Sequence, residues 1–288
     1  MITLEQGGFE LEVSPELGGA ITRFAVRGNN VLRPAPRNPA SVLEAGCFPL
    51  VPYANRIANG TFRFEGRECR LPLNFGEHPH SLHGHGWQTG WRVESISRAQ
   101  ATLAFDHAAD AWPWAYSAEE TVSLGADTLQ IKLSLRNRDT KPMPFSLGLH
   151  PYFPRSAGSR VTAAVTGMWQ AGATMIPTEH VEGSRLIDLA RGVVVAQAPF
   201  VDNAFTGWRS TARIEQPDDG LAVSLEASPE CRFLHVFIPT GASYFCAEPV
   251  TAMPNAFNRP EPPEVTGARV LAPGKTFAVE MRLVVRTR

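Results

Sequence analysis

Apolar and polar side chains alternate along much of this chain. In "FELEV", Phe9, Leu11 and Val13 fall on one side, and Glu10 and Glu12 on the other. "TLQIKLSLRN" sets Leu129, Ile131, Leu133 and Leu135 against Gln130, Lys132, Ser134 and Arg136. "LAVSLEA" alternates from Leu221, and "FAVEMRLVV" from Phe277 to Val285. A period of two predicts half-buried strands with one dry face. "TFRFEG" repeats the pattern with Phe62 and Phe64, then predicts a turn at Glu65-Gly66. Gly, Pro, Asn and Asp separate these runs, and no capped helical period extends over ten residues. The pattern predicts an all-β protein of many antiparallel strands, a large β-sandwich.

The chain reads as a single domain over residues 1–288, with no internal repeat, charge block or low-complexity tract. "RPAPRNPA" (33–40) comes too early to separate two domains and reads as a surface loop. "RPEPPEVTG" (259–267) reads as a loop before the last strand.

With 288 residues, 43% of them hydrophobic, the chain can bury a large core without disulfides or metals for stability. Formal net charge is −1 and no basic stripe exists, which argues against nucleic acid or an anionic membrane as partner. The N-terminal residues lack the basic and apolar regions of a secretory signal, and no apolar run is long enough to span a membrane. Cys47, Cys69, Cys231 and Cys246 form no C-x-x-C pair and read as reduced residues of a cytoplasmic protein.

Candidate chemistry begins with "HPHSLHGHGW", which places His78, His80, His83 and His85 within eight residues of a chain that has eight histidines in all. Extended backbone would point His83 and His85 to one side, a spacing that suits a metal, although the first acid to follow is Glu94. The competing reading is a polar loop of hydrogen-bonded histidines. Gly84 and Gly86 would let a ligand approach the backbone closely. In "FSLGLHPYFP", His150 follows an apolar strand and precedes Pro151, a position at a strand end. In "SYFCAEPV", Glu248 is expected at the lip of a sheet, where partial desolvation raises a carboxyl pKa. Asn55 and Arg56 in "YANRIANG", and Asp202 and Asn203 in "VDNAFTGW", are residue types that grip sugar hydroxyls. Trp87, Trp91 and Trp208 are candidates for an apolar wall or for core packing.

In this order, "NRIANGTF", "SLHGHGW", "GLHPYF", "VDNAFTGW" and "AEPVTAMPNAFN" resemble the markers of the aldose 1-epimerase (mutarotase) family, spread over residues 55–258. The resemblance implies a galactose mutarotase-like β-sandwich that interconverts the α and β anomers of an aldose by opening and reclosing the ring. It implies Glu248 as base, His150 as acid, and His83 as a hydrogen-bonding partner near the reacting centre. Arg56, Asp202 and Asn55 would hold ring hydroxyls, and His85 is a possible further substrate contact. No cofactor or metal is implied, because both proton carriers are side chains. The expected partner is a small-molecule sugar, and the expected assembly a monomer or homodimer. Opposite charges sharing one cleft would lower the Glu248 pKa and raise that of His150. Two features depart from galactose-active members: Asn255 stands where they have Asp, and L-H-G-H replaces L-H-G-G. A non-catalytic carbohydrate-binding protein, an epimerase of sugar phosphates, and a metal enzyme built on His78–His85 are the alternatives.

Overall fold

The computed structural model describes residues 1–287, and among them antiparallel sheet accounts for nearly all regular structure. The α-helix is a single turn, Pro263–Thr266, inside the loop expected at 259–267. No helix among the described residues is long and apolar enough to cross a membrane.

A nine-stranded sheet holds the three runs that alternate from Leu129, Leu221 and Phe277. Its order is Arg92–Ile96, Gln100–His107, Tyr116–Leu124, Thr128–Asn137, Thr276–Thr287, Leu221–Ala227, Thr211–Gln216, Arg160–Ala163 and Val193–Val194. Leu129, Ile131, Leu133 and Leu135 are fully buried, whereas Lys132 and Arg136 face solvent. An eight-stranded sheet runs in the order Pro177–Glu182, Gly167–Ala171, Val201–Thr206, Phe233–Ile238, Tyr244–Val250, Gly148–Leu149 and Pro49–Leu50, with Tyr152–Pro154 also paired to Tyr244–Val250. A four-stranded sheet forms from residues 2–30 and includes the "FELEV" strand. "TFRFEG" folds as expected, with Thr61–Phe64 paired to Arg67–Arg70 around Glu65 and Gly66, both at positive φ.

The two large sheets pack through a common core. Leu133, Leu135 and Met281 of the nine-stranded sheet join Leu234, Val236, Phe245 and Ala247 of the eight-stranded one. These last four residues fix the direction of their neighbours, because successive side chains on a strand point to opposite faces. With Phe245 and Ala247 in the core, Tyr244, Cys246 and Glu248 must face away from it. With Leu234 and Val236 in the core, His235 and Phe237 face the same outer side. The other face of this sheet is therefore not the polar surface of an ordinary strand. Tyr244–Val250 is buried on both sides from Phe245 onward, because loops from the first third of the chain cover it.

Candidate active site

Register brings the polar residues of that covered face side by side. His235 pairs with Glu248 across one strand boundary. Across the next boundary, Tyr152 pairs with Cys246 and Gly148 with Val250, which places His150 level with Glu248. One row thus runs His150, Glu248, His235, and the neighbouring row runs Tyr152, Cys246, Phe237, Asp202. His150 Nε2 lies 3.3 Å from Glu248 Oε1. Asp202 crosses diagonally to His235, whose Nε2–H donates to Asp202 Oδ1 at 2.8 Å.

The covering wall comes from two tight loop positions. Asn55 and His83 both adopt positive φ (59° and 58°), a backbone state uncommon outside glycine and costly for His. They hold one another there. His83 N–H donates to Asn55 O, and Asn55 N–H donates to His83 Nδ1 at 3.1 Å. That second bond fixes the tautomer, leaving the proton of the neutral ring on Nε2. The next residue, Arg56, reaches across the cleft to Asp202. Its two terminal nitrogens donate to Oδ1 at 3.2 Å and Oδ2 at 2.8 Å, a bidentate pair. Gly84 and Gly86 do not admit a ligand, as their freedom suggested. They admit Val51: a Cβ at Gly84 would sit 2.3 Å from Val51 O, and one at Gly86 2.3 Å from Val51 Cγ1.

His83, His150, Glu248, Arg56, Asp202 and Asn55 therefore line one cavity of about 190 Å³, with His235, Tyr152, Phe237 and Tyr244 among the other lining residues. Five of the six sequence-selected polar groups there are under a tenth exposed, Glu248 at 1%, deeper than the sheet lip expected for it. Burial decides their protonation. It drives the Glu248 carboxyl well above its ordinary value, helped by the charge of Asp202. It drives His150 well below its ordinary value, helped by His83, His235 and Arg33. The expected directions are thus reversed: loss of solvent dominates in the cleft and favours the neutral carboxyl and the neutral imidazole. Burial, then the charge of Arg56, lowers His83 to about 3. Burial alone would raise Asp202, but the His235 hydrogen bond and the Arg56 charge outweigh it and hold the carboxylate ionised.

Other sequence candidates lie elsewhere. His85 lines a separate hollow of about 330 Å³, stacked on His107 at 4.3 Å and hydrogen-bonded to Tyr116. It is not a wall of the cleft, because the turn at Gly84 sends the next side chain to the other side. Asn203, next to Asp202, points away and donates to Trp169 O at 3.0 Å. His78 lies outside the cleft, where its Nδ1 accepts the His80 N–H at 3.2 Å. His80 is a buried strand residue that accepts from Asn59 N–H and donates to Thr174 O. Trp87, Trp91 and Trp208 are core residues, between 1% and 7% exposed. Trp87 packs under Phe48 and His83 instead of facing a ligand. The aromatic wall is Phe75, Tyr152, Phe237 and Tyr244. His235 was missed altogether; its only signal was parity, a polar residue inside the apolar strand "FLHVFI". A roomier hollow of about 600 Å³, beside Trp169 and Trp208, lies apart from this cluster.

The antiparallel sandwich is that of the galactose mutarotase-like fold. The family model for aldose 1-epimerase matches residues 1–284, and the chain belongs to that family. It is 34% identical to the uncharacterized protein YphB of Escherichia coli K12 over 98% of both chains. A crystal structure of a candidate aldose 1-epimerase from the same organism, also 34% identical, superposes with a TM-score of 0.89 over 99% of this chain and 98% of the other. A galactose mutarotase-like protein from Clostridium acetobutylicum shares the fold at a TM-score of 0.87 and 22% identity, over 99% and 95% of the two chains.

Proposed function

We propose that the protein is an aldose 1-epimerase acting on a free aldose, with Glu248 and His150 as its proton carriers. The observation that supports this most is their juxtaposition, 3.3 Å apart at the floor of a cleft that also holds His83 and the Arg56–Asp202 pair. Mutarotation needs one group to take the proton of the anomeric hydroxyl and another to protonate the ring oxygen as the bond from C1 to that oxygen breaks. The aldehyde then rotates about C1–C2, and the same steps in reverse close the other anomer.

The pair needs one transferable proton. With Glu248 ionised and His150 protonated, the carboxylate takes the hydroxyl proton and the imidazolium supplies the ring oxygen. Ring opening leaves a neutral carboxylic acid beside a neutral imidazole, and closure restores the charges. Burial favours the neutral form, so sugar hydroxyls must support the charged one. His83, with Nε2–H directed by its tautomer, is suited to donate to a sugar oxygen. Asp202, Arg56 and Asn55 offer acceptors and donors in fixed planes for ring hydroxyls. Each positioned acid or base contributes about 10²–10⁴ in rate, enough for a reaction that already proceeds slowly in water.

A free sugar fits better than a phosphorylated one. Arg56 is the one Lys or Arg among the residues lining the cleft, and both its terminal nitrogens are taken by Asp202. A phosphate would meet no uncompensated cation there. NMR exchange spectroscopy or polarimetry over a panel of free and phosphorylated aldoses tests the reading. The expected result is accelerated anomer exchange for one or more free aldoses and buffer rates for the phosphates. Buffer rates for every free aldose would exclude it.

A further inference from the structure

Cys246 has no part in the proposed proton chemistry, yet strand parity puts it on the same face as Glu248, two residues away. One thiol sulfur, one imidazole nitrogen of His150 and one carboxylate oxygen of Glu248 lie within 4.8 Å of one another. All three residues are buried, and two polar atoms of the set, Glu248 Oε2 and His150 Nδ1, are buried without a hydrogen-bond partner. Thiolate, imidazole and carboxylate are a donor set for a thiophilic divalent cation such as Zn²⁺. The spacing fits too. Two N or O ligands about 2.0–2.1 Å from a tetrahedral zinc stand roughly 3.3–3.4 Å apart, and His150 Nε2 stands 3.3 Å from Glu248 Oε1. That separation is long for a hydrogen bond between the two groups. His150 and Glu248 line the cleft, which gives a cation access.

We infer that His150, Cys246 and Glu248 form a site for a thiophilic divalent cation whose occupancy inhibits the enzyme. The cation takes the lone pair of the imidazole and an oxygen of the carboxylate, so neither group can carry a proton. The thiol proton leaves to solvent through the cleft. The second group of potential ligands, His85, His107 and Asp110, is the competitor for any bound metal. Its two imidazoles are stacked nearly parallel, at 13°, so their lone pairs do not converge on one ion.

The inhibition rests on the epimerase reading, whereas metal binding does not, and two measurements separate them. Titrating the chelator-treated protein with Cd²⁺ should produce the ultraviolet charge-transfer band of a cadmium thiolate. The band should be lost in both Cys246→Ala and Cys246→Ser, and kept in His107→Ala. Zn²⁺ added to the metal-free wild type should suppress anomer exchange. Either Cys246 variant should keep its metal-free activity and need about 100-fold more Zn²⁺ for the same suppression, since even outer-shell changes cost 10–100-fold in affinity. A missing cadmium band, a band that survives in the Cys246 variants, or zinc that accelerates exchange would each overturn the inference. A band of the expected kind in a protein without epimerase activity would uphold the site and sink the activity alone.

Discussion

Asn55 and His83 are locked to each other by reciprocal hydrogen bonds, each with a backbone in the left-handed region. Together they fix an imidazole tautomer and, one residue on, aim Arg56 at Asp202. His83→Asn should therefore lower kcat for anomer exchange by about 10²-fold. It should leave both limbs of the pH profile in place, because a ring held at about pKa 3 is neutral throughout the working range.

Glu248→Gln and His150→Asn should each abolish most of the activity, by roughly 10²–10⁴-fold. The far-ultraviolet circular dichroism of both variants should match the wild type. Wild-type exchange rates in Glu248→Gln would sink the assignment of the proton carriers.

The pair works only while it holds one proton, so kcat/KM should follow a bell. On the acid side the pair gains a second proton, and because burial depresses His150 that limb lies below the ordinary imidazole value of 6.5. On the alkaline side it loses its last proton, and because burial raises Glu248 that limb lies above the ordinary carboxyl value of 4.5. A profile centred on pH 6.5 with one limb only would contradict a shared proton.

Arg56→Met leaves Asp202 buried with one partner fewer and should destabilise the fold by about 3–5 kcal/mol. The double variant Arg56→Met/Asp202→Leu should recover much of that stability while remaining inactive. Urea denaturation and exchange rates, measured on the same samples, separate the two effects.

Glu120 lies far from this chemistry along the chain, in the strand Tyr116–Leu124, and burial raises its carboxyl to about 8. Between the ordinary value of 4.5 and about 8, the folded protein holds a proton that the unfolded chain has released. The stability that Glu120 contributes must therefore fall as pH rises through that interval, by at most about 5 kcal/mol at ~1.4 kcal/mol per unit. Glu120→Gln should remove this contribution, so its urea midpoint should fall less between pH 5 and pH 8 than that of the wild type.

Alternation alone determined the strands. Leu129 to Leu135, Phe9 to Val13 and the Glu65-Gly66 turn could be read directly, because a half-buried sheet imposes its period on neighbouring residues. Ordered motifs also picked out His83, His150, Glu248, Arg56 and Asp202, since each sits in a short local pattern. Their mutual distances, and everything that follows from depth, needed the fold. Strand register set His150 level with Glu248 and brought in His235, which lies outside every motif that pointed to a sugar site. The turn at Gly84 sent His85 into a different hollow. Covering loops took the water away from the pair and reversed the pKa shifts expected from charge alone. Period is a property of adjacent residues and survives in the sequence. Register, burial and dielectric are properties of segments far apart in the chain, and only tertiary packing decides them.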